Sequence, residues 1–363
     1  MITRRHVLSA AGAAAAVAGF GGAYAARPAV GLSLPLTGVQ AQVADELRQG
    51  YEAALAGVAE LDVVDDESKP EKTLQNVEAF VGKGQIIATT GIVGTPHAKA
   101  AIPSAVAGQL PMVGIRSGAA ELRDGNSYVF HLRASFEDEI TKVINTAGVF
   151  GAMGILYSDD DFGRARIAHA RAVAASKGVK IAVALPVDRN GSNVKEQTNT
   201  LATTPGLASV LLCLIQTPAL AAAKELRTKH HLLMLPIFGM SFIATSSFAT
   251  LDDPTYDGMS LVMPFGLARA STVLMARSFR EKVTASNKEH LIESPAAFEG
   301  YFYGSVLGVA ITRGGATRKG LQSFLLQQRP FEVQEVPIAF DERRVGYNAL
   351  IFARKAGKML RAS

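Results

Sequence analysis

From Ala29 onward, short apolar runs alternate with longer segments whose apolar residues recur at helical spacing. This is the pattern of parallel strands joined by helices in an α/β fold. Ala29 to Leu34 reads as a first strand, and Val43, Leu47, Tyr51, Leu55 and Val58 form the apolar face of the helix behind it. Strands over Leu61 to Asp65 and Gln85 to Thr90 enclose a helix that starts between Ser68 and Glu71, with Pro70 in its first turn. A helix over Ala98 to Ala107, then strands over Pro111 to Ile115 and Tyr128 to Arg133, complete this series.

A second series repeats the alternation. Helices Phe136 to Val149, Arg164 to Lys177, Val194 to Leu201 and Ala219 to Lys229 are predicted among strands Met153 to Tyr157, Val179 to Leu185, Ser209 to Leu214 and Leu233 to Phe238. After a strand over Gly258 to Met263, helices Val273 to Ala285, Ala296 to Arg313 and Lys319 to Gln328 precede two closing strands, Val336 to Phe340 and Ala349 to Ala353. Gly300, Gly304 and Gly308 recur every four residues on one of these helices, so that a neighbouring helix can approach its bare face closely.

The first 25 residues break the pattern. Arg4 and Arg5, an Ala/Gly-rich apolar stretch to Phe20 and the small residues of Ala23-Tyr24-Ala25 read as a cleavable export signal, from which a periplasmic mature chain is expected. Thr3 to Leu8 is similar to a twin-arginine signal except that Val7 stands where that pattern prefers Phe, and a general secretory signal fits as well. The apolar stretch falls short of the roughly 20 residues that cross a bilayer.

A chain of 363 residues exceeds what one core serves and predicts two lobes. The formal charge is +5, with Lys and Arg interleaved among Asp and Glu, which argues against nucleic acid as a partner. The lone Cys213 sits in an apolar strand, an inert thiol with no intrachain disulfide partner.

Catalytic signatures are missing from the pattern. Gly239-Met240-Ser241 lacks the third glycine of a nucleophile elbow, and neither a dinucleotide fingerprint nor a phosphate loop occurs. His230 and His231 are adjacent and would point about 100° apart on a helix, so neither a metal site nor a cofactor is expected. Asp159-Asp160-Asp161 reads as a solvated strand exit that starts the next helix.

Open parallel sheets bind ligands beyond the carboxyl ends of their strands. The loops in question are Thr37-Gly38, Gly94-Thr95, Arg116-Ser117-Gly118, Phe162-Gly163, Gln216-Thr217 and Met240-Ser241. Thr95 either caps its helix or, with the free amides of the first turn, holds a carboxylate. Arg116 is either a surface residue or a fork for a carboxylate. Phe162 either covers an apolar ligand face or packs on its own sheet.

In chain order, Ala29-Val30-Gly31 with Pro35-Leu36-Thr37-Gly38, Gly91-Ile92-Val93-Gly94-Thr95, Pro111-Met112-Val113, Tyr128 to Arg133 and Tyr157 to Gly163 resemble the substrate-binding proteins of ABC importers, Leu/Ile/Val-binding type. Phe298-Glu299-Gly300-Tyr301 fits the same branch. The resemblance covers nearly the whole mature chain. It implies two doubly wound, Rossmann-like α/β lobes with a ligand cleft between them, joined by crossings near Arg133 to Phe136, Pro264 to Gly266 and Val333 to Val336. Lobe one would then hold residues 26–134 and 265–334, and lobe two residues 135–264 and 335–363 with both closing strands.

The function so implied is capture of a small-molecule solute by hinge closure, for delivery to the membrane permease of an ABC transporter, by a monomer that transforms nothing. A sensory module of the same fold and an exported hydrolase are the competing readings. In amino-acid binders of this family, a hydroxyl after the third strand and main-chain groups plus a hydroxyl after the fourth hold the ligand carboxylate. The matching positions are Thr95 and Arg116-Ser117-Gly118. Gly118 falls where a threonine is usual, Phe162 where a tyrosine is usual, and Gly239-Met240-Ser241 lacks the carboxylate that receives the ligand ammonium. An unpaired buried ammonium is costly, so the expected ligand sets a carboxylate on Arg116 and has an apolar or aromatic body.

Overall fold

Continuous apolar runs become strands covered on both faces, and amphipathic runs become the helices that cover them. A computed structural model describes residues 27–38, 40–327 and 329–362; the expected export signal, Met1 to Ala25, lies outside them. In the first lobe β1 (Ala29–Leu34) is buried along its whole length. It lies between β2 (Glu60–Asp65) and β3 (Ile86–Thr90), with Ala29 opposite Glu60 and Val30 opposite Ala88. β4 (Met112–Val113) and β5 (Val129–Phe130) extend the parallel sheet to the order β2-β1-β3-β4-β5. α1 (Ala41–Leu55), α2 (Pro70–Gly82) and α3 (Thr95–Ala107) are its crossovers.

The second lobe begins with α4 (Phe136–Ala147), followed by β6 (Ala152–Ser158), α5 (Asp161–Lys177), β7 (Ile181–Val187), α6 (Val194–Ala202), β8 (Leu207–Cys213), α7 (Gln216–Thr228), β9 (Ile237–Gly239), α8 (Ser246–Thr250) and β10 (Ser260–Met263). α9 (Leu274–Ala285), α10 (Pro295–Gly314) and α11 (Arg318–Leu325) return to the first lobe, where α10 packs along α1. The hairpin of β11 (Phe331–Val333) and β12 (Val336–Ile338) precedes β13 (Ile351–Ala356) and β14 (Met359–Ala362). The second sheet runs β14-β13-β10-β9-β8-β6-β7, parallel except at its β13-β14 end.

One core lies under α1 and α10, and another under α6 and α7. A third runs from α2 and α3 of the first lobe to α4 and α5 of the second, so apolar packing is continuous between the lobes.

Two sequence expectations change. The third crossing comes later than Val333 to Val336: Val333 and Ile338 are buried in the first core, and Gly346 N–H still donates to His131 O at 2.8 Å. Val336–Ile338 therefore stays with the first lobe and the chain enters the second sheet at β13. The cause is a tight turn in which Gln334 and Glu335 both take positive φ (50° and 67°), a geometry that non-glycine residues do not announce. The glycine row also acts unevenly. A Cβ on Gly300 would lie 2.2 Å from Leu47 O, whereas one on Gly308 would meet Leu55 at an ordinary 3.6 Å. The α1 side contributes its own bare position, Gly50, whose Cβ would lie 2.0 Å from Ala297 O.

Asp160 caps α5 by accepting from Gly163 N–H at 2.9 Å, and Arg164 bridges Asp159 and Asp161 in solvent, as the acidic strand exit predicts. Cys213 is buried, and burial pushes its thiol up to about 12.

Candidate functional site

In each parallel sheet the connections reverse direction at one point, between β1 and β3 in the first and between β6 and β8 in the second. The crevice beyond the strand ends at such a point is where ligands settle. Thr95 follows β3, Arg116-Ser117-Gly118 follow β4, Phe162 follows β6, Gln216-Thr217 follow β8 and Ser241 follows β9.

Thr95 is not the cap of α3, because Gly94 holds that place at φ 100°. Its hydroxyl instead lies 2.8 Å from the Ser117 hydroxyl, which also accepts from Ala119 N–H at 3.2 Å. Two hydroxyls share one hydrogen bond, which leaves one hydroxyl proton for a guest. Gly118 is buried flush against Phe136: a Cβ there would sit 2.7 Å from Phe136 Cδ1 and 2.9 Å from its backbone N. A threonine at 118 would not fit.

Arg116 leaves β4 and donates Nε–H to Glu299 Oε2 at 2.8 Å. Its Nη groups have no hydrogen-bond partner among the described residues, and the side chain retains 14% exposure. Glu299 stands one turn inside α10, whose start is fixed by Pro295 and by Ser294 accepting from Ala297 N–H at 3.0 Å. Glu299 also accepts from Tyr303 OH at 2.7 Å and from Arg133 Nη1 at 3.1 Å.

Arg133, at the first crossing, continues the chain of ion pairs into the second lobe. Its Nη2 donates to Ser241 Oγ at 2.8 Å and to Glu139 Oε1 at 3.2 Å, and Glu139 in turn accepts from Ser241 N–H at 2.9 Å and from its hydroxyl at 2.7 Å. A capping box of Ser135 and Asp138 starts α4 and turns Phe136 and Glu139 toward this junction. Two guanidiniums thus face two carboxylates, all nearly sealed from water, the pairing that buried charge requires. Burial alone would push the Glu299 carboxyl up, but the Arg116 and Arg133 guanidiniums outweigh it and hold it below the usual range.

A cavity lies at this junction between Arg116, Arg133 and Glu299 on one side and Ser241 and Ala244 on the other, over Met263 to Gly266. Its free space is about 10 Å³, room for one water. A second crevice shares Gly266 and Pro295 with this cavity and has the ion-paired Arg269 and Glu293 on its wall.

The sequence-predicted residues therefore divide. Arg116 and Ser241 line the cavity, and Thr95 pairs with Ser117, the residue after Arg116, without lining it. Phe162 packs edge-on against Phe136 and Phe242 at 5.5 and 5.6 Å, under the Arg166 guanidinium. Gln216 donates to Thr245 at 2.7 Å and Thr217 is exposed, so neither reaches the cavity wall. The sequence reading missed Arg133, Glu139 and Glu299. Glu299 did carry a signal, being the single charge in the apolar run from Pro295 to Ile311.

A crystal structure of a substrate-binding periplasmic protein from Ralstonia solanacearum shares this fold at 24% identity and TM-score 0.79, over 93% of this chain and 100% of that one. An ABC transporter substrate-binding protein from Desulfitobacterium hafniense in complex with Leu (16% identity, TM-score 0.77) matches over 93% of this chain and 100% of its own. A branched chain amino acid ABC transporter from Thermus thermophilus with bound valine (18%, TM-score 0.78) matches over 93% and 96%. No curated protein matches the chain. The family model for periplasmic binding proteins, solute-binding proteins and not enzymes, matches residues 29–348, and the chain belongs to that family.

Proposed function

We propose that this chain is the periplasmic solute-binding component of an ABC importer, and that it captures a small carboxylate-bearing solute, amino acid-like or an aromatic or apolar acid, for a membrane permease. The observation that carries this reading is the Arg116 guanidinium: its Nε is committed to Glu299, its Nη groups have no hydrogen-bond partner among the described residues, and the residue lines the cavity between the lobes. A carboxylate placed there would take two parallel charge-assisted hydrogen bonds, with the spare hydroxyl proton of the Thr95–Ser117 pair close by on the same lobe. The carboxylate of Glu299 has about four acceptor sites, and Arg116, Arg133 and Tyr303 occupy three of them. Little is left for a ligand ammonium, which favours an acid over a zwitterion.

A cavity with room for one water admits such a solute only if the lobes part and close again, the hinge motion common to two-lobed binders. The test is a thermal-shift and calorimetric screen of carboxylates, amino acids and apolar acids on the purified protein, in which a ligand at 100 times its dissociation constant adds about 2.7 kcal/mol of stability. Arg116→Ala should weaken a carboxylate hit by about 1.5 to 3 kcal/mol. Unchanged affinity in that variant would remove Arg116 from the site, and a melt moved by zwitterionic amino acids alone would overturn the preference for an acid over a zwitterion.

A further inference from the structure

Phe136 occupies a place that the mechanism above does not use. Its backbone N–H donates to Gly118 O at 2.7 Å, and its ring lies flush against Gly118 of the first lobe. The ring also stands T-shaped to Phe162 and Phe242 of the second lobe, at centroid distances of 5.5 and 5.7 Å. Two guanidiniums flank it, Arg166 at 5.0 Å and Arg133 at 5.8 Å from the centroid. Arg133 is the shared wall, since it also lines the cavity that Arg116 faces.

Gly118 follows β4 and Phe162 follows β6, so the space between them borders the strand ends at which ligands settle. In this chain that space is an aromatic compartment with cationic walls, and the protein's own phenyl ring fills it. We infer that Phe136 is the specificity-determining residue of the cleft: it takes the aromatic compartment for itself, so that the solute is a carboxylate with a short aliphatic body and aromatic acids are turned away. The inference rests on the reading of Arg116 as the carboxylate anchor and narrows the class of solute.

Removing the ring would leave a void of phenyl size bounded by aromatic edges and guanidiniums, and apolar voids of that kind accept aromatic guests. The experiment compares isovalerate, benzoate and phenylacetate by calorimetry on the purified protein and on Phe136→Ala, Phe136→Leu and Arg116→Ala. The unaltered protein should prefer isovalerate over phenylacetate by about tenfold or more, and Phe136→Ala should gain about tenfold or more for the aromatic acids. If Phe136→Ala fails to melt cooperatively, Phe136→Leu carries the same test with an expected gain of about threefold. Equal affinity of the unaltered protein for isovalerate and phenylacetate, or a folded variant with no gain for aromatic acids, would overturn the inference. Should Arg116→Ala bind every acid as well as the unaltered protein, the anchor is wrong, and the gain or its absence in the Phe136 variants still decides the compartment.

Discussion

His131, the residue after β5, shows what burial does to a single titratable group. Its Nε2 lies 3.0 Å from Leu122 O, and since a carbonyl only accepts, that nitrogen carries the proton. Nδ1 is buried with no partner among the described residues. Burial, and then the like charge of Arg123, push the imidazole down to about 4 from an ordinary 6.5. Between those values the unfolded chain binds a proton that the folded one refuses, so stability is fully present above pH 6.5 and falls as the pH drops toward 4, by about 3 kcal/mol in all. Urea unfolding between pH 7 and 4.5 should show this loss, and His131→Gln, whose amide can still donate to Leu122 O, should flatten it. Equal slopes in the two proteins would assign the acid sensitivity to other groups. At this scale the candidate site was half legible. Arg116, Thr95 and Ser117 announce themselves because a strand end is a local pattern, but the partners that define their chemistry are distant in the chain. Arg116 and Glu299 stand 183 residues apart and Glu139 and Ser241 stand 102 apart, separations that no local period encodes.

Helix α10 illustrates what an element-level pattern conveys and where it stops. The four-residue glycine spacing was enough to expect a close helix contact, and α1 supplies it. Which glycine matters depends on where the helices cross, which spacing alone leaves open. At Gly300 the obstacle is a backbone carbonyl, Leu47 O at 2.2 Å from an added Cβ, and a carbonyl inside a helix cannot step aside. Gly300→Ala should therefore cost about 3 kcal/mol. At Gly308 the added methyl meets Leu55 at an ordinary 3.6 Å, and the gain in helix propensity should make Gly308→Ala neutral or stabilising by up to about 1 kcal/mol. Chemical denaturation of the two variants checks the contrast, and similar midpoints would mean that the helices can slide apart at no cost. The rest of the element order was legible for the same reason as the glycine row: buried parallel strands and amphipathic helices have distinct periods. The errors fall where period is absent. β14 escaped because Met359–Ala362 is a short edge strand, and β12 was assigned to the wrong lobe because its hairpin turns through Gln334 and Glu335.

At the scale of the whole molecule, two sets of polar contacts hold the lobes beside the apolar packing that runs between them. Arg133 sits at a crossing and ties Glu299 to Glu139 and Ser241 in the sealed interior. Away from that crossing, α8 of the second lobe meets α1 and the start of α10. Ser246 Oγ accepts from Gln42 Nε2 at 3.0 Å and donates to Glu46, which also accepts from Ser294 Oγ at 2.5 Å. On the proposed reading a solute enters when the lobes separate, and the Ser246 bonds, which cross between them, then break. After they break, Glu46 keeps Ser294 and Gln42 as partners, so the bond to Ser246 is worth about 1 kcal/mol to the closed form. Ser246→Ala should accordingly shift the solute-free protein toward open shapes, with a larger radius of gyration in X-ray scattering. If the closed form is the one that retains solute, as proposed, affinity for the solute should fall by up to about fivefold, the equivalent of that 1 kcal/mol. Ser247→Ala provides the control, since its hydroxyl bonds to Thr245 within its own lobe at 2.8 Å and should alter neither quantity. If Ser246→Ala matches the unaltered protein in both scattering and affinity, the Ser246 contact does not hold the lobes, and the weight of closure falls on Arg133 and the apolar packing around Phe136.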